Sequence, residues 1–199
     1  MRAKALTEGA LPVSVQIAGR EAGAMAETAR IVAGMGARIV DINMGCPARK
    51  VTGGLSGAAL MRDLDHALTL VEAVVAAVPD LPVTLKMRLG WDPDCLNAPE
   101  LAARAAGAGV RMLTVHGRTR AQFYSGRADW NAIRAVANLP GRPPLVANGE
   151  SLMRCVISLS NLISKKWMGN LVSFKIKSLI MLIFTRAVTC NNIHERIIS

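Results

Sequence analysis

From Val13 to Gly149 the chain alternates short apolar, β-branched runs with helical patterns, and this alternation limits the folds open to it. In order the blocks read "VSVQIAG", "EAGAMAETARIVAGMGA", "RIVDINM", "HALTLVEAVVAAV", "PVTLKMR", "APELAARAAGAG", "RMLTVHG", "WNAIRAVANL" and "PLVANG". Parallel neighbours need a crossover of a dozen residues or more, so strands separated by helices predict parallel β/α units. The strand runs look nearly continuously apolar, which suits strands covered on both faces. Asn97 followed three residues later by Glu100 resembles a capping box, Asp129 is placed to cap a helix from Trp130, and Gly36 and Gly107 sit where helices should stop. With 199 residues the chain is short of the roughly 250 of a complete (β/α)₈ barrel. The expected fold class is therefore α/β: a partial TIM (β/α)₈ barrel of five parallel β/α units with an atypical C-terminal tail.

Composition divides the chain at about Glu150. Upstream it is rich in Ala and Gly; from Ser151 onward it holds one Ala, Ala187, and one Gly, Gly169, while Ile, Ser, Asn and Lys take over. The expected organisation is residues 1–150 as the partial barrel and residues 151–199 as an unrelated or out-of-frame tail. The tail carries seven Lys/Arg against one acid, Glu195, so most of the net charge of +10 lies there. A basic balance favours polyanionic partners through counterion release but carries no specificity. The tail's longest apolar run, Leu179 to Phe184, is far below the roughly 20 residues that span a bilayer, so no membrane association is expected. Four cysteines, Cys46, Cys95, Cys155 and Cys190, lie far apart without metal spacing, which argues against a zinc site or a disulfide scaffold. No secretory signal is evident at the start, and a reducing cytoplasm is the simplest location.

Chemistry in a parallel barrel sits at the C-terminal ends of the strands, where the first polar residue closes each apolar run. Those residues are Gln16, Asn43 with Cys46 in the following loop, Lys86 with Arg88, His116, and Asn148. Gln16 and Asn148 have a plain alternative as partners of loop backbone, and His116 as a hydrogen-bonded core histidine. Lys86 is harder to explain structurally, because an ammonium in the barrel mouth is costly unless an anion or electron-rich ligand meets it. Together the set suits a planar heterocycle carrying a phosphate.

Cys46, in "DINMGCPARK", is either a half-buried packing thiol or a reacting one. Pro47 stiffens its loop, and Gly45 permits close approach of a ligand to the backbone. A thiol of ordinary acidity is mostly protonated at neutral pH, which suits a proton donor.

The blocks "VQIAG", "DINMGCPARKV", "GGLSGAALM", "VTLKMRLGW", "LTVHGRTRAQFYSG" and "VANGE" resemble, in order, those of the tRNA-dihydrouridine synthases, most of all the bacterial B-type branch. The resemblance implies an FMN-dependent barrel joined to a helical RNA-binding domain, reducing uridine in tRNA to 5,6-dihydrouridine with NADPH as reductant. It implies that Cys46 protonates uracil C5 and that Gln16, Lys86, His116, Asn148, Gly149 and Glu150 hold FMN. It further implies that Asn43, Arg88, Arg118 and Arg120 bind substrate. Arg49, Lys50 and Arg127 would meet tRNA phosphates, and the uridine would have to leave its stack. No stable protein partner is implied.

Against that family pattern, the first strand, the last two strands with their Gly-Arg phosphate segment, and the RNA domain have no counterpart, and Glu150 replaces a more usual Asp. Five of eight strands do not close a barrel, so poor solubility and weak or no FMN binding are expected. Two other readings are an inactive remnant with nonspecific RNA affinity and a flavin barrel of the dihydroorotate-dehydrogenase type.

Overall fold

A computed structural model describes residues 13–149. Five strands, β1 (Ser14–Ile17), β2 (Ile39–Met44), β3 (Val83–Arg88), β4 (Met112–His116) and β5 (Leu145–Asn148), form one sheet in sequence order, every neighbouring pair parallel. Four helices of eight residues or more cross between them: α1 (Ala22–Gly34), α3 (Leu64–Ala77), α4 (Ala98–Gly107) and α5 (Trp130–Ala137). The β2–β3 crossover also holds a short helix, α2 (Arg49–Thr52), and a 3₁₀ segment, Gly57–Arg62. Strand order without reversal distinguishes a barrel arc from a doubly wound sheet, which changes direction midway. The described residues are thus a partial (β/α) barrel.

The helices cover one face of this arc. Val40, Ile42 and Met44 of β2, Leu85 and Met87 of β3, and Leu113 and Val115 of β4 are fully buried there. They pack in one core with Met25 and Ala29 of α1, Leu70, Val71 and Val74 of α3, Leu101 and Ala105 of α4, and Ile133 and Val136 of α5. Burying each such large aliphatic side chain contributes about 1.5–3 kcal/mol. The other face is polar: the register aligns Asp41 with Thr84, Asn43 with Lys86 and Thr114, and Arg88 with His116 and Asn148. The expectation of strands apolar on both faces is therefore corrected. Period-two alternation sends every second side chain to a face that holds chemistry instead of hydrocarbon.

Local signals hold in part. Asp129 caps α5, accepting from the Ala132 N–H at 2.9 Å, and Asp63 caps α3 through the His66 N–H at 3.0 Å. Gly36 stops the chain just beyond α1 with φ 97°, a conformation glycine adopts without Cβ strain. Gly107 is the last residue of α4, and the left-handed turn follows at Gly109, φ 100°. One expectation fails. Asn97 precedes α4 but does not cap it: its amide donates to Met61 O at 2.6 Å, tying the helix entrance to the 3₁₀ segment. Glu100 meets Arg104 at 3.3 Å instead of closing a capping box. Among the described residues no helix is long and apolar enough to cross a membrane.

Candidate active site

At the C-terminal end of β2 the polar face becomes a continuous hydrogen-bond chain. Buried Asp41 accepts from the Thr84 hydroxyl at 2.6 Å and from Gln16 Nε2 at 2.5 Å. Gln16 Oε1 accepts from Asn43 Nδ2 at 2.8 Å, and Asn43 Oδ1 accepts from the backbone N–H groups of Gly45 and Cys46, both at 3.0 Å. The loop that carries Cys46 is therefore held from the sheet below it. Its far side is pinned too: Cys46 O accepts from the Ala58 N–H at 3.0 Å, at the start of the 3₁₀ segment. Gly57 has φ +59°, and a Cβ there would lie 2.9 Å from Cys46 O and 3.2 Å from Cys46 Cβ. Glycine is thus required by both conformation and space. The Cys46 thiol itself is free and half-buried.

Lys86 lies on the same face, in register with Asn43 and Thr114. Burial lowers its pKa, the neighbouring Arg88 charge adds to that, and the Asp41 charge opposes it. Asp41 is displaced in the complementary direction: burial raises its pKa, against the bonds from Thr84 and Gln16 and the charge of Lys86. Among the described residues Lys86 makes no hydrogen bond or ion pair.

His116 ends β4 in register with Arg88 and Asn148. Burial, then the charges of Arg88, Lys86 and Arg118, lower its pKa to about 3, against a hydrogen bond with Asn148. Its imidazole is neutral at physiological pH. Nε2 lies 3.3 Å from Arg118 Nη1, and a guanidinium only donates, so Nε2 accepts and Nδ1 carries the proton. The consequence for stability has a definite sign. Between pH 6.5 and about 3 an unfolded chain protonates this histidine and the folded chain does not. Stability is therefore full above pH 6.5 and is lost as pH falls through that window. Asp41, with its raised pKa, opposes the trend, since the folded chain keeps that proton longer. His116→Gln is expected to flatten the fall in urea midpoint between pH 6.5 and 4; an unchanged slope would contradict the assignment.

The arginines assigned to substrate behave differently from one another. Arg88 is 2% exposed and donates to Gly45 O at 2.9 Å, Thr119 O at 2.9 Å and Phe123 O at 2.8 Å. Arg118 is 8% exposed and donates to the carbonyls of Ser125, Gly126 and Gly149. Both clamp loops: carbonyls of the β4–α5 loop, with Gly45 and Gly149, accept from them. Arg120 stays at the rim, its guanidinium 4.6 Å from the Trp91 ring and its Nη2 3.4 Å from Thr52 Oγ1. Arg62 approaches the same indole at 5.0 Å. Arg49, Lys50 and Arg127 are exposed. Glu150 and the tail from residue 151 lie outside the described residues.

Asp41, Thr84 and Gly57 were not singled out by sequence. A carboxylate at the centre of "RIVDINM" was the available signal, since a charge there must be matched inside the fold. A surface cavity of about 520 Å³ opens at the opposite end of the strands, lined by Arg30, Arg38, Ala77 and Asp80. It lies among the turns that enter β2 and β3, away from the side chains described above.

An arc of parallel β/α units gathers an amide pair, a thiol, an ammonium without a hydrogen bond or ion pair among the described residues, and a neutral imidazole at its strand ends, where a barrel enzyme has its site. A family model described as dihydrouridine synthase matches residues 1–156, and the chain belongs to that family. A probable tRNA-dihydrouridine synthase of Rhodobacter capsulatus is 69% identical over 152 residues, covering 75% of this chain and 46% of the relative. A protein of the same description from Rhizobium leguminosarum bv. phaseoli is 63% identical over 142 residues, 71% of this chain and 44% of the relative. The tRNA-dihydrouridine synthase B of Xanthomonas campestris pv. campestris is 49% identical over 139 residues, 70% of this chain and 41% of the relative. The chain spans less than half the length of these relatives.

Proposed function

We propose that the chain carries the flavin-facing and uracil-facing part of a tRNA-dihydrouridine synthase, reducing uridine in tRNA to 5,6-dihydrouridine. The observation that carries the reading is Lys86, an ammonium in the barrel mouth without a hydrogen-bonding or ion-pairing partner among the described residues. Such a cation suits the pyrimidine edge of FMN, where negative charge collects on reduction. FMN when bound, reduced by NADPH, would supply the hydride for uracil C6.

The remaining steps belong to side chains of this chain. Gln16 and Asn43 each use part of their amide in the chain to Asp41, leaving further donor and acceptor capacity for the ring edges of cofactor or base. Neutral His116, its Nε2 on Arg118 and its N–H engaged by Asn148, flanks the ring without adding positive charge beside Lys86. Cys46, fixed through its own N–H and carbonyl, presents a thiol whose proton goes to uracil C5. Asn148 and Gly149 open the loop on the phosphate side, with Glu150 next in sequence. Arg120, Arg49, Lys50 and Arg127 hold the tRNA backbone around a uridine drawn from its stack. Residues 1–150 act as the FMN-binding unit, residues 151–199 are foreign to it, and the working location is the cytoplasm.

Expression of the full chain in a strain lacking its own synthases tests the reading. Dihydrouridine in its tRNA, detected by mass spectrometry, would support the synthase reading. Its absence, with soluble chain present, would favour an inactive remnant.

A further inference from the structure

The hydrogen-bond chain beneath Cys46 has two ends of opposite character. At the top, the N–H groups of Gly45 and Cys46 can only donate, so the atom of Asn43 facing them is its oxygen. Asn43 Nδ2 then faces Gln16, whose facing atom must be Oε1, and Gln16 Nε2 is left facing Asp41. At the bottom, both oxygens of Asp41 accept, one from Gln16 and one from the Thr84 hydroxyl. Every amide orientation between these ends follows from them, and no other assignment satisfies all the groups.

We propose that Asp41 is a positioning residue for Cys46: it anchors a relay through Gln16 and Asn43 that fixes the backbone of the thiol's loop. The relay joins β1, β2 and the Cys46 loop, and Thr84 locks its base to β3. Without an acceptor at position 41, Gln16 is free to turn, and Asn43 loses the partner that keeps its oxygen aimed at Gly45 and Cys46. Asp41 touches neither the thiol nor the site proposed for the base, so its action is indirect. Its importance for turnover rests on the reading of Cys46 as the reacting thiol; its effect on the loop does not.

The test therefore uses the full chain without tRNA or flavin, reading peptide-resolved hydrogen exchange at Gly45 and Cys46 and the rate at which iodoacetamide alkylates Cys46. Asp41→Leu is expected to raise the alkylation rate about tenfold, the equivalent of losing one to two ordinary hydrogen bonds. Gln16→Leu, a change at an exposed position, should do the same with exchange in α3 unchanged. The double variant should be no faster than either single one, because both break the same relay. Asp41→Asn should stay near wild type: its Oδ1 can face Gln16 while the Thr84 hydroxyl turns to accept from Nδ2. Unchanged alkylation and exchange in Gln16→Leu would overturn the proposal, as would multiplication of the two single effects in the double variant. If Asp41→Leu does not fold, Gln16→Leu and Asp41→Asn decide the matter. A working relay in a chain that makes no dihydrouridine would fault the synthase reading alone.

Discussion

Replacing Arg88 by Met is expected to destabilise the folded chain by about 3 kcal/mol, because two buried carbonyls and a partly buried one lose their donor at once and each unsatisfied acceptor costs about 1–3 kcal/mol. Those carbonyls belong to Gly45, Thr119 and Phe123, so one side chain ties the Cys46 loop to the loop after β4. Removing the guanidinium also has a favourable side: burial lowers the Arg88 pKa, which shows the charge itself is held at a cost. The unpaired carbonyls outweigh this because Met fills the space without offering an N–H. Phe123 should respond first. It holds φ 55°, a strained backbone conformation for a bulky residue, with its carbonyl bonded to Arg88. Arg88→Lys should recover only part of the loss, since an ammonium does not reproduce a planar fork with donors on Nε and Nη1. Urea unfolding of the full chain measures both variants. A loss below about 1 kcal/mol for Arg88→Met would mean that water satisfies these carbonyls.

The sequence was most informative where a signal is local. The five strands and four long helices follow from apolar periodicity, and Asp129 capped the helix it preceded. It was least informative where a polar side chain finds its partner far along the chain. Asn97 carried a local capping pattern, but its amide went to Met61, 36 residues away. For Arg88 and Arg118, assigned to substrate, composition did not show which carbonyls would surround the guanidinium. Asp41 drew no attention in the sequence because its partners are remote: folding brings Gln16, 25 residues earlier, and Thr84, 43 residues later, to its two oxygens. The strand-end residues Gln16, Asn43, Lys86, His116 and Asn148 do fall on one face, because parallel register carries them there whatever their chemistry. The Gly-rich run after Cys46 concealed a 3₁₀ segment, and Gly57 at its start sits where a Cβ would crowd Val51 and the Cys46 carbonyl.

The other large effect concerns the thiol itself. Cys46→Ala is expected to slow dihydrouridine formation by about 10²–10⁴-fold, the usual contribution of a positioned general acid. FMN affinity should change little, because the groups assigned to the cofactor are Gln16, Lys86, His116, Asn148, Gly149 and Glu150, and the loop's backbone bonds to Asn43 and Ala58 do not involve the side chain. That separation gives the experiment its force. A packing thiol, once truncated, would relax the loop and weaken cofactor and turnover together, whereas a proton donor removes one step and leaves the site assembled. Cys46→Ser should sit near the alanine variant, since a hydroxyl is a far weaker acid than a thiol at almost the same place. Turnover in deuterated water provides the chemical readout: wild type should place deuterium at C5 of the product. Both variants should lose rate with FMN binding intact. Unchanged turnover in Cys46→Ala would remove the proton-donor role, and the hydrogen bonds that fix the loop would then have to serve Gly45's close approach to the ligand instead.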